Sequence, residues 1–176
     1  MIETGRLILR PWRDEDADEF VRVTNTEAVM AHLGGVDDPA RLALACGRMQ
    51  AMQAGHGHCF WIVERKADGA LLGFCGLKIG NVGPIDGAIE IGWRLREDAW
   101  GKGYAREAAE ASLAWAWANL DTDRVVAITV PANTGSWGLM IRLGMTRRPD
   151  LDFGHPSFAP EHPLHAHITY VIERPV

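Results

Sequence analysis

Trp100-Gly101-Lys102-Gly103-Tyr104-Ala105-Arg106-Glu107 joins a stretch with strand periodicity to one with helix periodicity. Before it, Ala88 to Leu95 alternates, with Ile89, Ile91, Trp93 and Leu95 on one face and Glu90, Gly92 and Arg94 on the other. After it, Ala105, Ala108, Ala109, Ser112, Leu113 and Ala116 form a narrow stripe of small residues, which predicts a helix from Tyr104 to about Leu120 lying close on a sheet. Glycines at such a joint let the backbone turn tightly and approach a ligand. The helix then aims free N–H groups and its positive dipole end into the turn, an arrangement suited to phosphate or pyrophosphate. No Gly-x-x-x-x-Gly-Lys-Ser/Thr run exists, and the third glycine of the dinucleotide fingerprint is missing.

Working outward, His58 to Glu64 and Leu71 to Lys78 read as strands joined by the turn Lys66-Ala67-Asp68-Gly69, an antiparallel hairpin. Arg6 to Arg10 is a first strand stopped by Pro11. Asp14 is a candidate cap for a helix to about Thr24, and Asp38-Pro39 starts a second helix that Gly55 ends. Val125 to Val130 is a β-branched strand. Asn133 or Thr134 opens a short helix capped near Gly144, Pro149 to Pro163 is irregular, and Ala166 to Glu173 is a last strand. The order is strand, two helices, three strands, helix, strand, helix, strand. That is a mixed α/β plan in one domain over 1–176, with a mostly antiparallel central sheet and a helical crossover after the fourth strand.

A composition of 47% hydrophobic and 23% charged residues is that of a soluble globular chain, and the net charge of −5 argues against general binding to nucleic acid or anionic membranes. No apolar run reaches a membrane span, and no signal peptide is read at the start. Cys46, Cys59 and Cys75 form no Cys-x-x-Cys pair, which fits reduced thiols and a cytoplasmic location. Several tryptophans cluster around the glycine turn and are expected mostly in the core. His56, His58, His155, His162, His165 and His167 make no tight ligand pattern with carboxylate or cysteine, so no metal site is expected.

The chain resembles the GNAT superfamily of acyl-CoA-dependent N-acetyltransferases, and within it the RimJ/RimL type of ribosomal-protein N-terminal acetyltransferases. The resemblance rests on Thr4-Gly5-Arg6-Leu7-Ile8-Leu9-Arg10-Pro11-Trp12, Phe74-Cys75-Gly76-Leu77, Glu90-Ile91-Gly92-Trp93, the glycine turn, Asn133-Thr134-Gly135-Ser136 and Arg142-Leu143-Gly144-Met145. It covers nearly the whole chain. It implies a sheet of about seven strands with helices on both faces and a V-shaped splay between the fourth and fifth, opened at a bulge.

The resemblance also implies acetyl-CoA as acyl donor, with no metal. Gly101, Gly103, Tyr104, Ala105 and Arg106 would cradle the pyrophosphate, and Trp93 and Leu95 would pair with the pantetheine arm. Asn133 would meet a pantetheine amide, and Ser136 would protonate the leaving thiolate. Lys102 and Arg142 either reach phosphate or stay solvated. Glu90 is either the base that takes the amine proton or an ion-pair partner of Arg94. The acceptor would be a primary amine on a protein N-terminus or a small molecule such as an antibiotic or polyamine, handled by a monomer or homodimer. The acidic residues from Asp14 to Glu19 are either an acidic wall for a cationic amine or a solvated helix start. Outside enzymes, the alternatives are an idle acyl-CoA sensor or a binder of another nucleotide.

Overall fold

A computed structural model describes residues 1–175. The chain runs β1 (Ile2–Glu3), β2 (Leu7–Arg10), α1 (Asp16–Thr24), α2 (Glu27–Met30), α3 (Pro39–His56), β3 (Phe60–Arg65), β4 (Leu71–Ile79) and β5 (Ile89–Leu95). It continues with α4 (Tyr104–Asn119), β6 (Arg124–Thr129), α5 (Thr134–Arg142), β7 (Thr146–Arg147), β8 (Phe153–Gly154) and β9 (Ala166–Glu173). The sheet order is β1-β2-β3-β4-β5-β6-β9-β7, with β8 on β9. The longer strands fall where the residue pattern puts them, and β1, β7 and β8 add short pairings that carry no periodicity.

Period-two alternation sorts side chains onto two cores. Trp61 and Val63 join Ile91 and Leu95 under the small-residue stripe of α4. Ile62 and Phe74 face the other way, against Phe20 of α1 and Cys46 of α3. α4 buries Ala108, Ala109, Ser112, Leu113 and Ala116, so its backbone lies close on β4 and β5. Of the tryptophans near the glycine turn, Trp93, Trp115, Trp117 and Trp137 are half-buried against the α4 core, whereas Trp100 is 48% exposed.

All strand pairs are antiparallel except β5–β6, which runs parallel and touches at one register point, Glu90↔Val126. Past that point the two strands diverge, which is the expected splay. The expected bulge is absent: β5 pairs with β4 in unbroken register from Gly73↔Leu95 to Ile79↔Ile89, and the irregular register lies between Val63 and Glu64 of β3 instead.

Two local readings also change. Asp14 does not cap α1; Glu15 holds that position without a side-chain bond. Asp16, the first residue of the helix, accepts the Arg13 N–H at 2.7 Å and takes both guanidinium ends of Arg10 at 2.6 and 2.8 Å. α3 runs past Gly55 and stops at Gly57, whose φ of 75° supplies the left-handed turn.

Candidate active site

The opening between β5 and β6 is a cleft of about 570 Å³. One wall is built by the turn before α4. Gly101 and Gly103 both take positive φ, 70° and 80°. Gly103 is the N-cap of α4 and no side chain caps that end. The first bond of the helix is Glu107 N–H to Gly103 O at 3.0 Å, so the N–H groups of Tyr104, Ala105 and Arg106 have no intrahelical acceptor. Glu107 points away from this end: it accepts from Thr4 Oγ1 at 2.6 Å, Arg6 N–H at 2.8 Å and Arg6 Nε at 2.7 Å. Arg6 also donates to Lys102 O at 2.9 Å and lies over the Tyr104 ring. The turn is thus braced from behind while its donors face the cleft.

The indole N–H of Trp100 reaches back to Leu95 O at 2.9 Å and fixes the turn to the strand end. Because Arg96 N–H bonds Leu72 O, alternate residues of β5 spend their backbone groups on β4. Trp93 and Leu95, out of step with Arg96, turn theirs to the open side. The backbone of Trp93 and the N–H of Leu95 therefore line the splay as an unoccupied strand edge past the single bridge.

The opposite wall is α5. Asn133 is its N-cap, and its side-chain oxygen accepts the Ser136 N–H at 3.3 Å. The capping role is therefore real, and it leaves the Asn133 amide nitrogen free. The Ser136 hydroxyl makes no hydrogen bond among the described residues, and both residues line the cleft, as does exposed Arg142. Trp93, Leu95, Gly101, Gly103 and Tyr104 to Arg106 line it too. Lys102 stands outside the lining with its side chain in solvent.

Glu90 also lies outside it. It is 7% exposed, and its partner is Lys78 at 3.1 Å, across the β4–β5 register, rather than Arg94. Phe60 lies across Gly92, with ring atoms 3.0 Å from where a Cβ would stand, and separates Glu90 from Arg94. Burial pushes the Glu90 carboxyl above the usual carboxylate range, against the pull of Lys78.

The acidic stretch of α1 is no wall of this cleft. Asp16 is spent on Arg10 and Glu19 on Arg22, and no acidic residue lines the cleft among the described residues. Sequence reasoning missed the α2 side, where Ala28, Val29, His32 and Leu33 line the same cleft as Arg94. A four-residue helix followed by Gly34 and Gly35 carries no periodicity to find it by. Cys46 and Cys75 do not line the cleft, and burial holds their thiols up at about 11 and about 12, so neither offers a thiolate near neutrality. No cluster of metal-binding side chains occurs among the described residues, and no helix there is long and apolar enough to cross a membrane.

Residues 6–146 match the Acetyltransferase (GNAT) domain family. The chain is 31% identical over 143 residues to "Uncharacterized protein YkkB" of Bacillus subtilis (strain 168), covering 81% of this chain and 83% of that protein. Its fold matches an acetyltransferase crystal structure from Agrobacterium tumefaciens str. C58 with a TM-score of 0.79 at 26% identity, over 98% of this chain and 93% of that one. RimL, a ribosomal L7/L12 α-N-protein acetyltransferase solved in complex with coenzyme A, shares the fold at a TM-score of 0.74 and 16% identity, over 97% and 95% of the two chains.

Proposed function

The chain belongs to the GNAT acetyltransferase family, and from that premise we propose that it transfers acetyl from acetyl-CoA to a primary amine by direct attack in a ternary complex. The observation that carries this reading is the uncapped N-terminus of α4 opening onto the same cleft as the bare strand edge of β5. A pyrophosphate fits the first and an amide-bearing arm fits the second. The fit has a further support in Arg142, which brings positive charge to the lining, while Arg106 beside it is paired with Glu110 at 2.8 Å.

In this reading the N–H groups of Tyr104, Ala105 and Arg106 hold phosphate, and Trp93 and Leu95 orient the arm by their backbones. The Asn133 amide nitrogen donates to an arm carbonyl. Acetyl-CoA supplies an acyl thioester: an N–C bond forms, a C–S bond breaks, and the thiol leaves with a proton while the amine gives one up. Ser136 holds a hydroxyl proton in the cleft, unspent on any protein acceptor, and donates it to the leaving sulfur. Glu90, kept from the cleft by Phe60, takes the amine proton through water. The absence of a cleft thiolate supports direct transfer over a covalent acyl-enzyme. The quoted motifs support a place in the RimJ/RimL-type branch.

Calorimetric titration with acetyl-CoA, using NADH and ATP as controls, tests the reading. Selective micromolar binding of acetyl-CoA is expected; equal binding of all three would sink it. With an acceptor in hand, Ser136→Ala should lower kcat by roughly 10–100-fold with little change in acetyl-CoA affinity. Glu90→Gln should lower kcat and remove the acid limb of the pH profile, a limb lying above the ordinary carboxylate range because burial raises that pKa. An unchanged limb in Glu90→Gln would leave Glu90 a structural partner of Lys78.

A further inference from the structure

Arg94 is a half-buried cation to which the protein itself offers no counter-charge. Its Nε is buried without a hydrogen-bond partner. Its guanidinium carbon lies 5.5 Å from the centres of both the Phe20 and Phe74 rings, which hold the group in place. No ion pair or hydrogen bond joins the Arg94 side chain to any described residue, whereas buried Arg10 binds two carboxylates. The titratable group acting on it is Cys46, which is held as a neutral thiol. Burial accordingly pulls the Arg94 pKa down, with nothing anionic to offset it. Orphaned charges of this kind are costly, and they persist where something else supplies the counter-charge.

The position of Arg94 says what that something is. It lines the cleft. It belongs to the face of β5 that packs on Phe20 and Phe74, opposite the face that carries Ile91 and Leu95 toward α4. The phosphate-binding end of α4 therefore lies on the other side of the strand, and the arm between phosphate and thioester is uncharged. The cleft that Arg94 lines is also walled by α2 and the residues after it, Val29, His32 and Leu33 among them. No acid there would attract a polyamine.

We propose that Arg94 is the anion-recognition residue of the acceptor half of the cleft, and that the acceptor is an amine that also carries a carboxylate, such as an amino acid or an acidic peptide. The Phe20 and Phe74 rings stack on each other, 5.5 Å between centres, and the Arg94 guanidinium lies beside that pair, where it has an edge to offer for the planar, two-point bonding that a carboxylate provides. The inference rests on the acetyl-transfer reading of the same cleft.

The test offers the protein acetyl-CoA with matched amines: L-amino acids and acidic dipeptides, their carboxamides, and the corresponding decarboxylated amines. Release of the CoA thiol is followed. The best carboxylate-bearing acceptor should exceed its carboxamide in kcat/KM by about tenfold or more. Arg94→Met should erase that gap through KM while leaving the calorimetric affinity for acetyl-CoA within about twofold, and Arg94→Lys should restore part of the gap. The proposal is overturned if carboxamides or decarboxylated amines serve equally well in the natural protein, or if Arg94→Met keeps the preference. Weakened acetyl-CoA binding in Arg94→Met would assign the residue to the donor and overturn it as well. Should acetyl-CoA bind but no amine in the panel turn over, the N-acetyl amino acids and their amides are titrated onto the CoA-loaded protein, and equal or absent binding of the two overturns the proposal. Failure of the natural protein to bind acetyl-CoA at all is a different result, and it removes the acetyl-transfer reading itself.

Discussion

Gly103→Glu should lower the affinity for acetyl-CoA by about 100-fold or more while the protein stays folded. Three effects add. The backbone at Gly103 has a φ of 80°, which costs a residue with a Cβ on the order of 1 kcal/mol. A carboxylate at the N-cap of α4 then occupies the positive end of the helix that phosphate would use. Its charge also repels the ligand's own. The new side chain would compete for Arg6 as well, because a Cβ there meets Arg6 Nη2 at 3.4 Å, and Arg6 is what ties Lys102 O and Glu107 together behind the turn. Gly103→Ala isolates the strain and should weaken binding only several-fold. At Gly101 a Cβ meets nothing within 4 Å, so Gly101→Ala measures the φ cost alone. Calorimetry on the three variants, with melting curves as a fold check, separates the contributions. Undiminished binding in Gly103→Glu would mean that phosphate is held elsewhere.

Asp16→Ala should lower the unfolding free energy by about 3 kcal/mol, the low end for breaking a buried ion pair, and the melting temperature by roughly 6–12 °C for a chain of this size. Asp16 and Arg10 are 5% and 7% exposed. Removing the carboxylate strands Arg10 with Glu64 alone, at 2.7 Å, and frees the Arg13 N–H. Replacing both members, Arg10→Met with Asp16→Leu, should recover part of the loss, because the carboxylate then left unpaired, Glu64, is only half-buried. The pH dependence has a definite sign. Burial alone would raise the Asp16 carboxyl, but hydrogen bonds from Arg10 and the Arg13 N–H outweigh it and hold it below the ordinary range. A depressed carboxylate stabilises fully above its unfolded pKa, about 4, and that contribution fades as pH falls through the folded value. The gap between natural protein and Asp16→Ala should therefore be widest near neutrality and shrink in acid. A gap that holds constant down to pH 2 would contradict the pairing.

The parts of this molecule that were legible in the sequence are those written in local periodicity. The alternation from Ile89 to Leu95, the small stripe of α4 and the Asp38-Pro39 start each reappear where the residues put them. Whether α3 stops at Gly55 or Gly57 turns on a single backbone torsion, and the two glycines look alike in a sequence. Asp14 reads as the cap of α1 until the backbone is seen to give that position to Glu15 and Arg10 to claim Asp16. The cleft walls on either side of the glycine turn were readable from the motifs. The partner of Glu90 was not, since choosing Lys78 over Arg94 requires the β4–β5 register. The α2 side of the cleft, and with it the isolation of Arg94, exists only once distant segments meet.

The lone bridge between β5 and β6 has a consequence for how the molecule comes apart. Strands β1 to β5 form one continuous hydrogen-bonded ladder, and β6, β9, β7 and β8 form another. Between them stand one bridge, the shared packing under α4, and a small core of Ile85 with Val126 and Val171. Such a seam lets the two ladders exchange amide protons as separate cooperative units, the C-terminal one opening first. A ligand arm lying along β5 and touching α5 would stitch the units together and transfer its binding energy mainly to the weaker one, by about 2.7 kcal/mol at a hundred times its Kd. Amides of β6 and β9 should then gain more protection on adding acetyl-CoA than those of β3 and β4, whereas uniform slowing would mean that the seam already behaves as closed. Cofactor supply would in that case set the lifetime of the C-terminal half against proteolysis as well as the rate of turnover.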